Sequence, residues 1–445
     1  MMKKGYDRAV GAAVFTIALV VFLASPVRPL MDSNFSMLLS QSLLDHHSFT
    51  LDAYALPRYP PMQRRSRVTV GGLYQLEYVN GRIYYLYPPG PSLLSLPFVV
   101  LFNAAGVSAA NPDGSPNERG ELVIQCGLAA LLMALLAVVF YVTSRMMLPP
   151  AWSALLALGT AFGTQVWSTA SRTLWSDTWG IFLLGFVVLM LVAQETGRYP
   201  LRPVLFATLL AWTYFTKPTY SISIVAVTGY VLFYHRRLFP VYAVVGAAWF
   251  AAFVAYSWYH FGERLPHYYT FYQYFELRML AIALPGNLIS PSRGLLVFVP
   301  VLLFIAYLLV RYREDIEMPR LAVLSLTVVA LHLLSVSQLR PWHGGHSYGP
   351  RLSVGIVPWF FLAALLAVAA WRRGHAAADP TARPTRWRVE AALGATLLVV
   401  SMAMNAVGAV SSAGLQWNAT PLNVDQHPER VWDWHDAQFL APWRR

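Results

Sequence analysis

Apolar runs of near-spanning length alternate with short polar connections along almost the whole chain. They fall at about 9–27, 120–144, 150–168, 178–194, 203–217, 219–235, 238–257, 295–311, 321–338, 352–371 and 391–411, each close to what a helix needs to cross the hydrocarbon core. The pattern predicts an all-α integral membrane protein with about eleven transmembrane helices. A twelfth run, SLLSLPFVVLFNAAGVSAA at 92–110, follows PPGP and is interrupted by Pro97, Asn103 and Gly106.

Charge decides how to treat that run. If it does not cross, every strongly basic short connection lies on one side: Lys3, Lys4 and Arg8; Arg145; Arg198 and Arg202; His235, Arg236 and Arg237; Arg311, Arg313 and Arg320; and Arg372, Arg373, Arg383, Arg386 and Arg388. That side is then the cytoplasmic one. If it does cross, the pattern after residue 110 inverts against the N-terminus. We therefore expect 92–110 to lie in the interface or to re-enter from outside. The first run is followed by RPLMDSN rather than a small-residue cleavage site, so it reads as an uncleaved first helix with its N-terminus in the cytoplasm. The expected organisation is one polytopic unit over 1–412, with a first outer loop at 28–119 carrying amphipathic surface helices, and an outer tail at 413–445.

Composition changes this picture little. The chain is 57% hydrophobic and only 12% charged, with mean hydropathy +0.47, as a membrane protein requires. Its formal charge of +12 would suggest nucleic acid in a soluble protein, but positive-inside bias accounts for most of it and no nucleic-acid partner is expected. The single cysteine, Cys126, lies inside an apolar run, so an intrachain disulfide is excluded and thiolate chemistry disfavoured. No internal repeat is visible at any convincing period.

The outer connections collect the chemically interesting residues. Asp32 follows the first run directly, and Phe35, Leu38, Leu39 and Leu43 then recur at helical spacing. Asp32 reads either as a carboxylate held at the membrane surface or, with Ser33, as the cap of that helix. Asp45, His46, His47 and Asp52 lack a second ligand set at diagnostic spacing, so no metal is expected. YYLYPPGPS at 84–92, which contains Tyr87, predicts an extended aromatic segment, because each proline restricts the residue before it.

In SRTLWSD, Arg172 and Asp177 stand at the outer ends of two helices and could simply pair with each other. Lys217 in TKPT is either a snorkelling anchor or a cation facing a lipid phosphate. LISPSRG places Ser290, Ser292 and Arg293 at a helix start, where free amides and a guanidinium favour an anion. Trp258, Tyr259, Tyr268, Tyr269, Tyr272 and Tyr274 suit sugar stacking and interfacial anchoring equally.

The densest stretch is RPWHGGHSYGPR at 340–351. Gly344 and Gly345 permit positive φ. Arg340 and Arg351 offer planar forks for phosphate oxygens, and His343, His346 and Tyr348 add further polar groups. Cations on the outer side run against the positive-inside tendency and invite an anionic partner.

Together these motifs resemble bacterial GT-C glycosyltransferases, the polytopic enzymes related to protein O-mannosyltransferases and aminoarabinose transferases. The resemblance rests on an acid just after the first helix, the Tyr-Pro-Pro segment, the Arg172…Asp177 pair, LISPSRG and WHGGHSYGPR, and covers most of the chain up to about residue 370. Two departures stand out: the first outer loop has Asp-Ser where relatives often carry two adjacent acids, and His346 stands where an aromatic is frequent. The first weakens the case for a divalent metal, and no cofactor is expected.

The resemblance implies a GT-C-like fold in a bacterial inner membrane, with the active site on the outer face. It implies transfer of a sugar from a polyprenyl-phosphate donor to a hydroxyl of a glycan, lipid or protein of the cell envelope, with inversion. Asp32 would be the general base, and Arg351, Lys217 and Arg293 would bind phosphate. Arg172, Asp177, Tyr87, His343, His346 and Tyr348 would line the substrate. The competing reading is a transporter or flippase for a lipid-linked anion, which needs polar groups near the bilayer midplane. Inside the runs only His332 and Asn405 stand out as polar.

Overall fold

The computed structural model describes residues 2–57, 69–70, 73–270, 276–377 and 383–444. Tyr272 and Tyr274, and the side chains of Lys3, Lys4 and Arg383, lie outside the described residues.

All eleven expected runs are helical. The first is α1 (Met2–Ala24), and the segment after it holds α2 (Ser36–Asp45), β1 (Thr69–Val70), β2 (Leu73–Val79), β3 (Arg82–Tyr85) and α3 (Gly90–Ala104). Then come α4 (Glu118–Ser144), α5 (Pro150–Phe162), α6 (Ser176–Glu195), α7 (Pro203–Thr216), α8 (Ser221–Tyr234) and α9 (Phe239–Phe261). The remainder is α10 (Leu277–Ile289), α11 (Leu295–Phe298), α12 (Val301–Arg311), α13 (Pro319–Val336), α14 (Val357–Ala377), α15 (Arg383–Val410) and α16 (Ala413–Gln416). Among the described residues, seven helices are long and apolar enough to cross a membrane and six more are apolar but shorter. The chain is a multi-pass, all-α membrane protein.

Local chemistry sets many of the boundaries. Proline occupies the first turn of α5, α7, α9 and α13, where its missing N–H costs no hydrogen bond. Asn117 Oδ1 caps α4 by accepting from Gly120 N at 2.9 Å. The run at 295–311 is broken into α11 and α12 around Pro300. α14 is almost wholly buried and forms the centre with α4 and α6, Phe140 stacking on Phe361 at 4.1 Å between centroids. α1, α9 and α15 are largely exposed and so form the lipid-facing rim.

α3 has 15 residues, hence a length of about 22 Å against a core of about 30 Å. Both its ends meet α2: Ser92 Oγ donates to Ser36 O at 2.8 Å, and Asn103 Nδ2 to Gln41 Oε1 at 2.9 Å. α3 therefore runs alongside α2 and packs also against α4, α6 and α7.

Two expectations for the segment between α1 and α4 are corrected. It contains a three-stranded antiparallel sheet as well as helices, with Leu76 opposite Tyr85 and Tyr78 opposite Ile83. The β2–β3 turn is Asn80-Gly81, both at positive φ (52° and 85°), the geometry a two-residue hairpin turn demands. In addition, α2 is no surface helix: Ser36–Ser42 are all buried, between α3 and α4. α10 was unforeseen.

Candidate functional site

Asp32 lies in the connection from α1 to α2, and four neighbouring carbonyls hold that strand of chain. Thr173 Oγ1 donates to Pro29 O (2.8 Å), Gln75 Nε2 to Met31 O (3.0 Å), the Tyr85 hydroxyl to Asp32 O (2.7 Å) and Gln125 Nε2 to Ser33 O (2.8 Å). The donors come from the α5–α6 connection, β2, β3 and α4, so distant sequence fixes where the carboxylate sits.

Asp32 does not cap α2. Phe35 stands at the cap position with φ 72° and no side-chain bond, while Glu121 of α4 accepts from Met37 N and Leu38 N at 2.8 and 2.9 Å. A carboxylate at helix amides is favourable, and this one leaves Asp32 to other work.

That work is with Arg351, whose Nη2 forms an ion pair with Asp32 Oδ2. The guanidinium lies 3.8 Å from the centroid of the Trp175 ring, a cation–π contact. Tyr74 donates its hydroxyl to Asp32 Oδ1 at 3.3 Å. Burial tends to raise the Asp32 pKa, but the charge and hydrogen bond of Arg351, with hydrogen bonds from Tyr87 and Tyr74, outweigh it. The carboxyl is held below its usual range and is ionised at neutral pH. Burial and the adjacent Asp32 charge push the Tyr87 phenol far upward, so it stays a neutral donor.

A second pair lies alongside. Lys217 Nζ is 2.7 Å from Asp177 Oδ2, and the Tyr220 hydroxyl donates to Asp177 Oδ1 at 3.2 Å; both charged side chains are buried. Gly355, in the 3-10 turn Arg351–Ile356, approaches Asp177, Tyr220 and His332 so closely that a Cβ there would sit 3.3–3.4 Å from each. Asp177 is within Coulombic reach of Arg351. The site is thus an alternating row, Asp32, Arg351, Asp177 and Lys217, walled by Tyr74, Tyr85, Tyr87 and Trp175. Among the described residues, Arg351 Nε, Trp175 Nε1 and Thr219 Oγ1 are buried without a hydrogen-bond partner.

Other expected site residues lie elsewhere. Arg172 does not pair with Asp177: its guanidinium donates to Phe22 O at 2.7 Å and Ser25 O at 3.0 Å, capping the C-terminus of α1. Arg293 is only 1% exposed. Its donors go to His343 O, Ser292 O, Gln438 Oε1, Gly345 O and Asn418 Oδ1. Burial, partly countered by Asp425, lowers its pKa to about 9, so it remains a cation at neutral pH but has no fork left for phosphate.

His346 Nε2 faces Asn423 Oδ1 at 3.1 Å and Asp425 at 3.5 Å, and His343, pushed down to about 4 by burial and the Arg293 charge, is neutral. Tyr348 is buried against Gly408 and Gly414 and donates to Met404 O at 2.8 Å. Gly344 and Gly345 take positive φ, 76° and 62°. Most of RPWHGGHSYGPR therefore binds the C-terminal tail; Arg351 alone reaches Asp32. Arg340 pairs with Glu276 at the surface.

Among the described residues no group of three or more His, Cys, Asp or Glu could hold a metal. Asp45 accepts from Gln41 and Asp52 from Ile83 N. Trp175, Tyr74, Tyr85 and Glu121 were not singled out in the sequence. Trp175 stands inside SRTLWSD, while β2 and β3, which carry the two tyrosines, are announced by the Asn-Gly turn.

No known family model and no curated protein sequence matches the chain. Among solved structures it is similar to ArnT from Cupriavidus metallidurans, in a crystal structure bound to undecaprenyl phosphate, with 14% identity and a TM-score of 0.48 over 98% of this chain and 75% of that one. At that identity and score the likeness assigns neither a reaction nor a residue.

Proposed function

We propose that this protein is a membrane glycosyltransferase that takes a sugar from a polyprenyl-phosphate donor and passes it to an acceptor hydroxyl at the outer face, with inversion. The observation that carries the reading is the Asp32–Arg351 pair, a carboxylate and a guanidinium on one wall at the end of an apolar bundle. Such a pair supplies both charges the reaction needs. The acceptor oxygen attacks the anomeric carbon from the face opposite the phosphate, and Asp32 takes the hydroxyl proton. The bond from the anomeric carbon to the phosphate oxygen breaks, and the oxygen leaves with the electron pair. Arg351 and Lys217 stabilise the charge that grows there.

Three further features support this. The unpartnered donors on Arg351, Trp175 and Thr219 flank the two ion pairs and suit an oxygen-rich ligand. An apolar cavity of about 490 Å³ between α7, α8 and α9 includes Phe215 and Ser221, on either side of the Lys217 turn, and suits an isoprenoid chain. Transport is disfavoured because His332 is bonded to Leu352 O and Asn405 to Ser168, Phe298 O and Ser401 O, leaving neither as an ion relay.

The test is transfer of label from a radiolabelled polyprenyl-phosphate sugar to acceptors in a membrane extract. Asp32→Asn should abolish it and Arg351→Ala should lower it by roughly 100-fold or more. Undiminished transfer by Asp32→Asn removes the base from this scheme. Movement of the donor across vesicles without covalent transfer would make the protein a flippase.

A further inference from the structure

At the end of the bundle remote from Asp32, a groove of about 620 Å³ lies between the first turns of α1, the last turns of α4 and the connection after α6. Its rim carries Asp7, Arg8, Arg145 and Arg198, and its wall is Phe15, Leu135, Val138 and Val142. Three arginines face one acid. The acid is already engaged: Arg145 Nε and Nη2 lie 3.2 and 3.1 Å from the two Asp7 carboxylate oxygens. Arg145 Nη1 also binds Leu148 O.

The surplus charge is therefore on Arg8 and Arg198. The Arg8 side chain has no ion pair or hydrogen bond among the described residues, and the Arg198 guanidinium makes one bond, to Met146 O at 3.4 Å. Two exposed planar forks at the mouth of the groove suit phosphate oxygens. A water-soluble phosphate would leave the apolar wall beneath uncovered; an acyl chain would cover it. Tyr6 and Tyr199, 61% and 69% exposed, stand at this level, where aromatic side chains favour the interface.

We propose that this groove binds an anionic phospholipid from the leaflet opposite the one Asp32 faces, its phosphodiester held by Arg8 and Arg198 and one chain lying along Phe15, Leu135 and Val138. The inference does not depend on the transfer reaction. It differs from general positive-inside charge, because the Asp7–Arg145 pair forms a neutral wall that aims two particular cations at one opening.

The full-length protein in detergent is titrated with phosphatidylglycerol, and bound lipid is counted by native mass spectrometry. The wild type should hold one such lipid in preference to phosphatidylcholine. Arg8→Gln with Arg198→Gln should weaken it roughly 30-fold, at about 1 kcal/mol for each basic residue. Arg236→Gln with Arg237→Gln, which removes equal charge from exposed positions of another basic connection, should leave it unchanged. Equal loss in the two double variants would reduce the effect to diffuse surface charge. Phosphatidylcholine binding as tightly, or displacement of the lipid by inorganic phosphate alone, would also overturn the site. All these side chains are exposed and the Asp7–Arg145 pair is retained, so both variants keep the packing of α1 on α4.

Discussion

At the scale of single residues, the Asp32–Arg351 pair has a consequence for pH dependence. Burial alone would make Asp32 a weaker acid, and only Arg351 and the tyrosine donors hold it below the usual carboxylate range. When a donor phosphate draws the guanidinium away, the burial effect is left less opposed and the carboxylate becomes a better base. The acid limb of kcat/KM, which reports the free protein, should therefore lie below the ordinary Asp value near 3.9. The acid limb of kcat, which reports the complex, should lie at higher pH. Coincident limbs would show that the phosphate does not compete for Arg351. The neighbouring pair makes a prediction about stability. Lys217→Met strands the buried Asp177 charge and should cost about 3–5 kcal/mol, whereas Lys217→Met with Asp177→Asn should recover most of it. Thermal unfolding of the purified variants measures both. Asp32 was legible in the sequence by position, directly after the first apolar run. Arg293 misled, because a guanidinium beside a helix start looks the same whether its acceptors are phosphate oxygens or the protein's own carbonyls.

At the scale of elements, the helices were legible because a membrane leaves them few alternatives: backbone groups in hydrocarbon must bond within their own segment. The segment between α1 and α4 has no such constraint, and its sheet is less legible. VNGRIYYLY carries the Asn-Gly turn and the alternation of a hairpin, but the proline-rich stretch after it gives the stronger local signal. The sheet is what brings Gln75 and Tyr85 to the Asp32 segment. α2 reads as a surface helix because serines supply its polar positions, but their hydroxyls bind carbonyls of neighbouring segments, Ser40 to Ser92 O and Ser42 to Thr50 O. Its anchor is Glu121. Glu121→Ala would leave the amides of Met37 and Leu38 buried and unsatisfied, at a cost of about 1–3 kcal/mol. Hydrogen exchange should accelerate over 33–45, with transfer activity falling alongside. Acceleration confined to α4 itself would mean that the carboxylate supports its own helix and not the Asp32 segment.

At the scale of the whole molecule, the C-terminal tail changes how the 340–351 loop is understood. Arg293 and Arg430 both lie over the Trp417 ring, with their guanidinium carbons 5.6 and 4.3 Å from its centroid. Trp417 Nε1 donates to Asp436 O at 2.8 Å, and Arg430 pairs with Asp436 at 2.8 Å. Gln438 ties the three parts together, accepting from Arg293 and Gly349 N and donating to Ser347 O and Gly414 O. No periodicity or motif announces such a knot: each partner is a single polar residue, more than a hundred positions from Arg293 in the case of Asn418 and Gln438. Its effect is to hold the loop on one side of Arg351 while the Arg351–Ile356 turn packs on Asp177 on the other. Removing residues 413–445 would leave Arg293 as a buried cation without Gln438 and Asn418, and would uncover Trp342 and Ala283, which pack with Trp417, Val424 and Val431. The truncated chain should still insert, since every spanning helix precedes the cut. It should lose hydrogen-exchange protection across 340–350 and lose transfer with it. Trp417→Ala is the milder form of the same test, removing the shared ring while leaving both arginines their carbonyl acceptors. If loop protection in that variant falls while the Asp32 segment stays protected, the tail acts on the site through Arg351 alone.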